Sequence, residues 1–170
     1  MTNEDDKEIF YFNYTSTIAH ELQTIFSDDL VSVVVFGSAA RGEAGVNDNI
    51  DVLIVVEKFE KIGRDEVINS IEDNLKMSEE YFDLVENNLA TNINPLCLMQ
   101  SEIEKNPSLI KDVLADGFMI YDTDDFMEHN LRPPRNKRKK SKQAWHERNY
   151  TGMIAMKFDY FLKLRRMNGR

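Results

Sequence analysis

The chain has 170 residues, 42% of them hydrophobic and 30% charged, and a formal net charge of -9. That length can bury one sizeable core without crosslinks, the single cysteine excludes an internal disulfide, and no apolar run approaches the ~20 residues of a membrane-spanning helix. The charge is unevenly spread: residues 1–131 hold 8 basic and 28 acidic residues, whereas residues 132–170 hold 13 and 2.

Taken in chain order, Tyr11, Tyr14, Ile18, Leu22 and Ile25 recur at steps of three and four, which predicts an amphipathic helix from about Lys7 to Ser27. Val31–Phe36 and Ile50–Val56 read as strands. Both are apolar on both faces, as central strands covered by helices are. Residues 64–86 carry a helical pattern with Val67, Ile68, Ile71 and Leu75 inward and many acids outward. The apolar run Asn92–Met99 predicts a third strand, with Cys97 in it as a buried small hydrophobe. Ser101 and Glu104 have capping-box spacing. Asn106-Pro107 opens a further helical piece that Gly117 stops, and Phe118–Tyr121 is a short strand. The expected architecture is α+β, a central mixed sheet flanked by helices.

The chemistry concentrates between residues 33 and 56. Val33-Val34-Val35-Phe36 runs into Gly37-Ser38, where glycine permits backbone angles other residues avoid and lets a phosphate approach the main chain. Ser38 adds a hydroxyl, or caps the helix that follows. If Ala39–Glu43 is helical, its first N–H groups face the same place. On the second strand side chains alternate, so Asn49 and Asp51 share one face while Ile50 and Val52 take the other. Magnesium favours hard charged oxygens, commonly one or two carboxylates completed by substrate phosphates. Asp51 supplies charge; Asn49 supplies a neutral carbonyl. Asp48 falls on the opposite face.

This run resembles the signature of the nucleotidyltransferase superfamily with the DNA polymerase beta fold: an apolar residue, Gly-Ser, about ten variable residues, then acid, apolar, acid, apolar. Here the sequence is Phe36-Gly37-Ser38, residues 39–48, and Asn49-Ile50-Asp51-Val52, with the first carboxylate replaced. Ala40-Arg41-Gly42-Glu43 is similar to small prokaryotic members, including minimal nucleotidyltransferases that act as antitoxins beside helical partners. The resemblance implies transfer of a nucleoside monophosphate from an NTP, with ATP the expected one, to a protein, RNA or small-molecule hydroxyl. In the family two metal ions, held by three carboxylates, serve that transfer. It implies Asp51 and Asn49 as catalytic and Mg2+-binding residues, and Gly37, Ser38 and Arg41 as nucleotide-binding residues. Arg41 either neutralises triphosphate charge or pins Glu43 and nearby acids. The third carboxylate is expected on the later strand, yet Asn92–Met99 carries none, and Asp83 and Glu86 lie in helix. Activity reduced by Asn49 is the expectation. The alternatives are a catalytically degenerate nucleotide-binding or antitoxin-like protein acting through a partner, and an RNA-binding module.

Beyond the domain expected over residues 1–131, residues 132–142 read as a basic, proline-containing linker that could meet RNA phosphates or equally fold back on the acidic body. Trp145, Tyr150, Ile154, Phe158 and Phe161 then predict an amphipathic helix within 143–170, covered by its own domain, a protein partner or self-association. His20, His129 and His146 have no zinc-ligand spacing among themselves or with Cys97. The acidic start, Met1–Asp6, does not look like a signal sequence. A reducing, cytoplasmic setting without membrane contact is expected.

Overall fold

A computed structural model describes residues 4–60 and 62–127 of the chain. Helix α1 (Glu4–Phe26) precedes strand β1 (Leu30–Phe36), the short helix α2 (Gly37–Ala40) and strand β2 (Asn49–Val56). Helices α3 (Glu72–Lys76) and α4 (Glu79–Glu86) lead to strand β3 (Asn92–Met99), then α5 (Gln100–Lys105), α6 (Val113–Asp116) and strand β4 (Phe118–Asp122). Single 3-10 turns cover Ser27–Asp29, Arg64–Glu66 and Pro107–Ile110.

The four strands form one mixed sheet in the order β3-β2-β1-β4. β1 runs antiparallel to β2 and to β4, while β2 and β3 are parallel, joined by the crossover that contains α3 and α4. The two strands with the most continuous apolar runs are therefore the central ones. Val33, Val34 and Val35 of β1 and Val52 to Val56 of β2 are essentially inaccessible. The mixed sheet with flanking helices is the architecture the sequence predicted.

Helix α1 packs on β1, β4 and α4 through the stripe expected of it: Tyr11, Tyr14, Ile18 and Leu22 are buried. Its last anchor is Phe26, buried, rather than the half-buried Ile25. The Tyr14 and Tyr81 rings meet with centroids 6.2 Å apart, fastening α4 to α1. Tyr11 does more than fill space, because its hydroxyl donates to the Ala44 carbonyl at 3.0 Å and accepts the Ala90 N–H at 3.0 Å. Burial, above all, raises the pKa of this phenol from its ordinary value, so it stays a donor.

Three local expectations need correction. The helical pattern over 64–86 is not one helix: the Ser70 hydroxyl donates to Val67 O at 2.6 Å and the Ser78 hydroxyl to Leu75 O at 2.8 Å. Such serine bonds compete with helix propagation. Ser78 then restarts the helix as the N-cap of α4, accepting the Tyr81 N–H. The burial pattern survives the break, with Val67, Ile71 and Leu75 inside. Next, the capping pair at the start of α5 is set two residues earlier than Ser101 and Glu104, since Glu102 accepts the Met99 N–H at 2.7 Å. Arg64 holds the same Glu102 oxygen at 2.9 Å, which fixes the register. Finally, the helix after the Gly-Ser corner spans Gly37–Ala40 and not Ala39–Glu43. It closes in a Schellman-type turn: Gly42 N–H donates to Ala39 O and Glu43 N–H to Ser38 O, with Gly42 at φ 68.

No described helix is long and apolar enough to cross a membrane. The basic linker and the helix expected within 143–170 lie outside the described residues, as do His129 and His146.

Candidate functional site

One end of the sheet gathers the chemistry. Phe36 at the end of β1 pairs with Asp51 near the start of β2, and Asp51 pairs in turn with Asn94 near the start of β3. On the other side of β1, Val35 pairs with Phe118, so the residues just ahead of β4 reach the same end. Topology thus brings residues distant in sequence around Gly37.

Gly37 has φ 69, the left-handed region in which a Cβ is disfavoured. A Cβ built there would lie 2.7 Å from Asp51 Oδ2. The glycine is required twice over, once by the backbone and once by the carboxylate lying against it. The Gly-Ser corner and Asp51 therefore converge, as the motif implies. Asn49 is exposed and Asp51 half-buried on one face of β2, while Ile50 and Val52 are fully buried on the other. Asp48 is engaged elsewhere: its Oδ2 accepts the Gly45 N–H at 2.7 Å in the loop before β2.

On the later strand the residue that meets Asp51 is an amide. Asn94 Nδ2 donates to Asp51 Oδ1 at 2.7 Å, so the residue touching Asp51 from β3 is neutral. Asp51 stands between Asn49 and Asn94 as the sole carboxylate of that trio. Among the described residues no group of three or more His, Cys, Asp or Glu side chains is arranged to hold a metal ion. This donor set suits one hard cation whose remaining ligands come from a substrate's phosphates. It does not suit a pair of ions held by three carboxylates.

Ser38 lies inside the first turn of α2, whose N-cap is Phe36, so its side chain is not the cap that the sequence suggested. Among the described residues the Ser38 hydroxyl makes no hydrogen bond, and its carbonyl accepts from Glu43 and Ala44 N–H. Arg41, one turn on, donates from Nε to Glu43 at 2.7 Å and from a terminal nitrogen to Asp116 Oδ2. Glu43 first, and Asp116 after it, raise the Arg41 pKa still further, keeping the guanidinium charged.

Asp116 was not anticipated from the sequence. Its Oδ1 accepts the Gly37 N–H at 3.2 Å while its Oδ2 meets Arg41. Its side chain is 12% exposed, against 41% for Arg41 and 55% for Glu43. The only sequence signal was an acid directly before Gly117, the stop expected for the preceding helix.

With this geometry established, comparison with known proteins decides the family. Residues 16–117 match the profile of the Nucleotidyltransferase domain. The chain belongs to that family. The match spans every element from the latter half of α1 to the Gly117 turn, and so includes Gly37, Asn49, Asp51, Asn94 and Asp116. This nucleotidyltransferase-domain chain is also 32% identical over 111 residues to a Methanocaldococcus jannaschii protein provisionally named a protein adenylyltransferase, covering 62% of this chain and 68% of that one. A solved structure of a provisionally named nucleotidyltransferase from Sulfolobus solfataricus superposes with a TM-score of 0.42 at 17% identity, over 72% of this chain and 89% of that one. A toxin–antitoxin structure with AMP-PNP gives a TM-score of 0.47 at 15% identity, over 85% and 97%.

Proposed function

We propose that this chain binds a nucleoside triphosphate at the Gly37-Ser38 corner and transfers its nucleoside monophosphate to a hydroxyl acceptor, slowly. A single Mg2+ would be shared by Asp51, the Asn49 carbonyl and the substrate's phosphates, and would supply charge neutralisation at the phosphates. The acceptor oxygen bonds to the α-phosphorus, the bond to the β-phosphate oxygen breaks, pyrophosphate leaves, and the hydroxyl proton is lost to solvent. The chain's own contribution is positioning and electrostatics. ATP as donor and a protein as acceptor are the preferred pair, supported by the name of the M. jannaschii relative.

The observation that carries this reading is the closeness of Asp51 Oδ2 to Gly37, where a Cβ would find it at 2.7 Å. A carboxylate held against the backbone of a Gly-Ser corner puts a metal ligand beside a place for phosphates. A second reading, nucleotide binding without turnover, is favoured by the bond from Asn94 to Asp51, which leaves one charge where the family uses three.

The test compares the full chain with Asn49→Asp for Mg2+-dependent transfer of label from each α-labelled NTP to cell protein and cell RNA. Label from ATP on protein, and roughly tenfold more from Asn49→Asp, is the expected result. ATP binding by both without labelling by either would replace this reading with the second. Absence of ATP binding would end both.

A further inference from the structure

The Gly37 corner is held from two sides, and only one of them belongs to the strand motif. Asp51 lies against the Cα; Asp116 takes the N–H. The second contact is built with some precision. Gly117 donates its N–H to Val113 O at 3.0 Å, and a Cβ there would come within 2.6 Å of that carbonyl and 3.0 Å of Val34 Cγ1. The chain ahead of β4 is thus pressed on β1 at the only residue type that fits. Asp116 is thereby fixed next to the end of β1, 79 positions along the chain from the glycine it binds. Arg41 holds the other oxygen of the same carboxylate, so the side chain cannot rotate away without losing a charged partner.

We propose that Asp116 is a positioning residue for the nucleotide corner, acting through its hydrogen bond to the Gly37 N–H. The corner needs a left-handed glycine whose peptide faces one particular way. A backbone N–H without an acceptor would be free to turn, and Ser38 would turn with it. A carboxylate of low exposure, itself anchored by Arg41, supplies that acceptor permanently. The Gly37 N–H and one face of Arg41 are therefore part of the frame. The Ser38 hydroxyl is left as the donor for phosphate. This inference rests on the nucleotide reading above and refines it by separating the framework of the corner from the group that meets substrate.

The experiment uses the full chain and its Asp116→Ala and Asp116→Asn variants. Mg·ATP dissociation constants are measured by calorimetry well below the melting temperature of each protein, and the exchange rate of the Gly37 amide by NMR. Asparagine retains an oxygen able to accept the Gly37 N–H, whereas alanine does not. The expected result is a Kd raised about tenfold in Asp116→Ala, the scale of one lost hydrogen bond to a charged acceptor, with most of the affinity kept in Asp116→Asn. Gly37 exchange should accelerate in the alanine variant alone. Unchanged or tighter Mg·ATP binding in Asp116→Ala would overturn the proposal, the tighter case making Asp116 a competitor of phosphate. Equal damage in both variants would overturn it as well, since charge and not the acceptor would then matter. If the parent chain binds no Mg·ATP, the nucleotide reading fails. Gly37 exchange then decides the positioning role by itself: no acceleration in Asp116→Ala refutes it.

Discussion

Replacing Gly37 by alanine isolates the geometry on which the site depends. The backbone at φ 69 would carry a side chain in the left-handed region, a cost of about 1–2 kcal/mol. The new Cβ would stand 2.7 Å from Asp51 Oδ2, too close for contact, so the carboxylate must swing aside. Swinging aside breaks its bond from Asn94, a further ~0.5–1.5 kcal/mol. The sum, about 1.5–3.5 kcal/mol, corresponds to a fall in melting temperature of roughly 10 °C for a domain of this size. A double-mutant cycle by urea denaturation separates the two parts: Gly37→Ala should cost less when Asp51 is already alanine, by about 1 kcal/mol. The backbone part would remain in both. Mg·ATP affinity should fall with Gly37→Ala even where the protein is fully folded. Strict additivity in the cycle, or an alanine variant as stable as the parent, would refute the claim that Asp51 lies against the glycine.

Three further outcomes follow from the same geometry. Asn94→Asp places a second carboxylate 2.7 Å from Asp51, so the variant should lose stability without metal and show a larger Mg2+-dependent rise in melting temperature than the parent; equal rises in differential scanning fluorimetry would contradict the pairing. Cys97 is buried and its thiol pKa is pushed up to about 11, chiefly by desolvation; alkylation by iodoacetamide near pH 8 should run roughly two orders of magnitude slower than in the urea-unfolded chain, and equal rates would show an accessible thiolate. Glu102 has its pKa lowered, first by the Met99 N–H and then, against some desolvation, by Arg64. A depressed carboxyl contributes stability above its unfolded pKa and loses it as pH falls through the folded one. Glu102→Gln should therefore lower the urea midpoint at neutral pH, with the difference shrinking below the ordinary glutamate range of ~4.3; a difference independent of pH would refute the assignment.

How much of this was legible in the sequence depends on the range of the interaction. Strand β3 runs Asn92–Met99, as its apolar run indicated, and β1, β2 and β4 are each one residue longer than expected. Continuous β-branched runs bounded by turn residues carry that signal locally. The α1 stripe was equally clear, because helical periodicity is visible in the order of residues alone. The break in 64–86 was not, since it depends on Ser70 and Ser78 bonding back to carbonyls in place of solvent. At the site, Gly37 and Asp51 were named by their spacing, and the structure brings them together. Asn94 appeared only as the absence of an acid; its partner is decided by the parallel pairing of β2 with β3, which no local pattern specifies. Asp116 was invisible for the same reason. It is the last residue of a four-residue helix and acts across the β1–β4 pairing.

The phenol of Tyr11 joins three stretches that the gene keeps far apart, bonding Ala44 behind the Gly-Ser corner and Ala90 ahead of β3. One buried hydroxyl serves both, so displacing either stretch costs a hydrogen bond to the same phenol. The N-terminal helix, which also packs on α2, thus ties the Gly37–Ala40 turn to the approach of β3 through a single buried side chain.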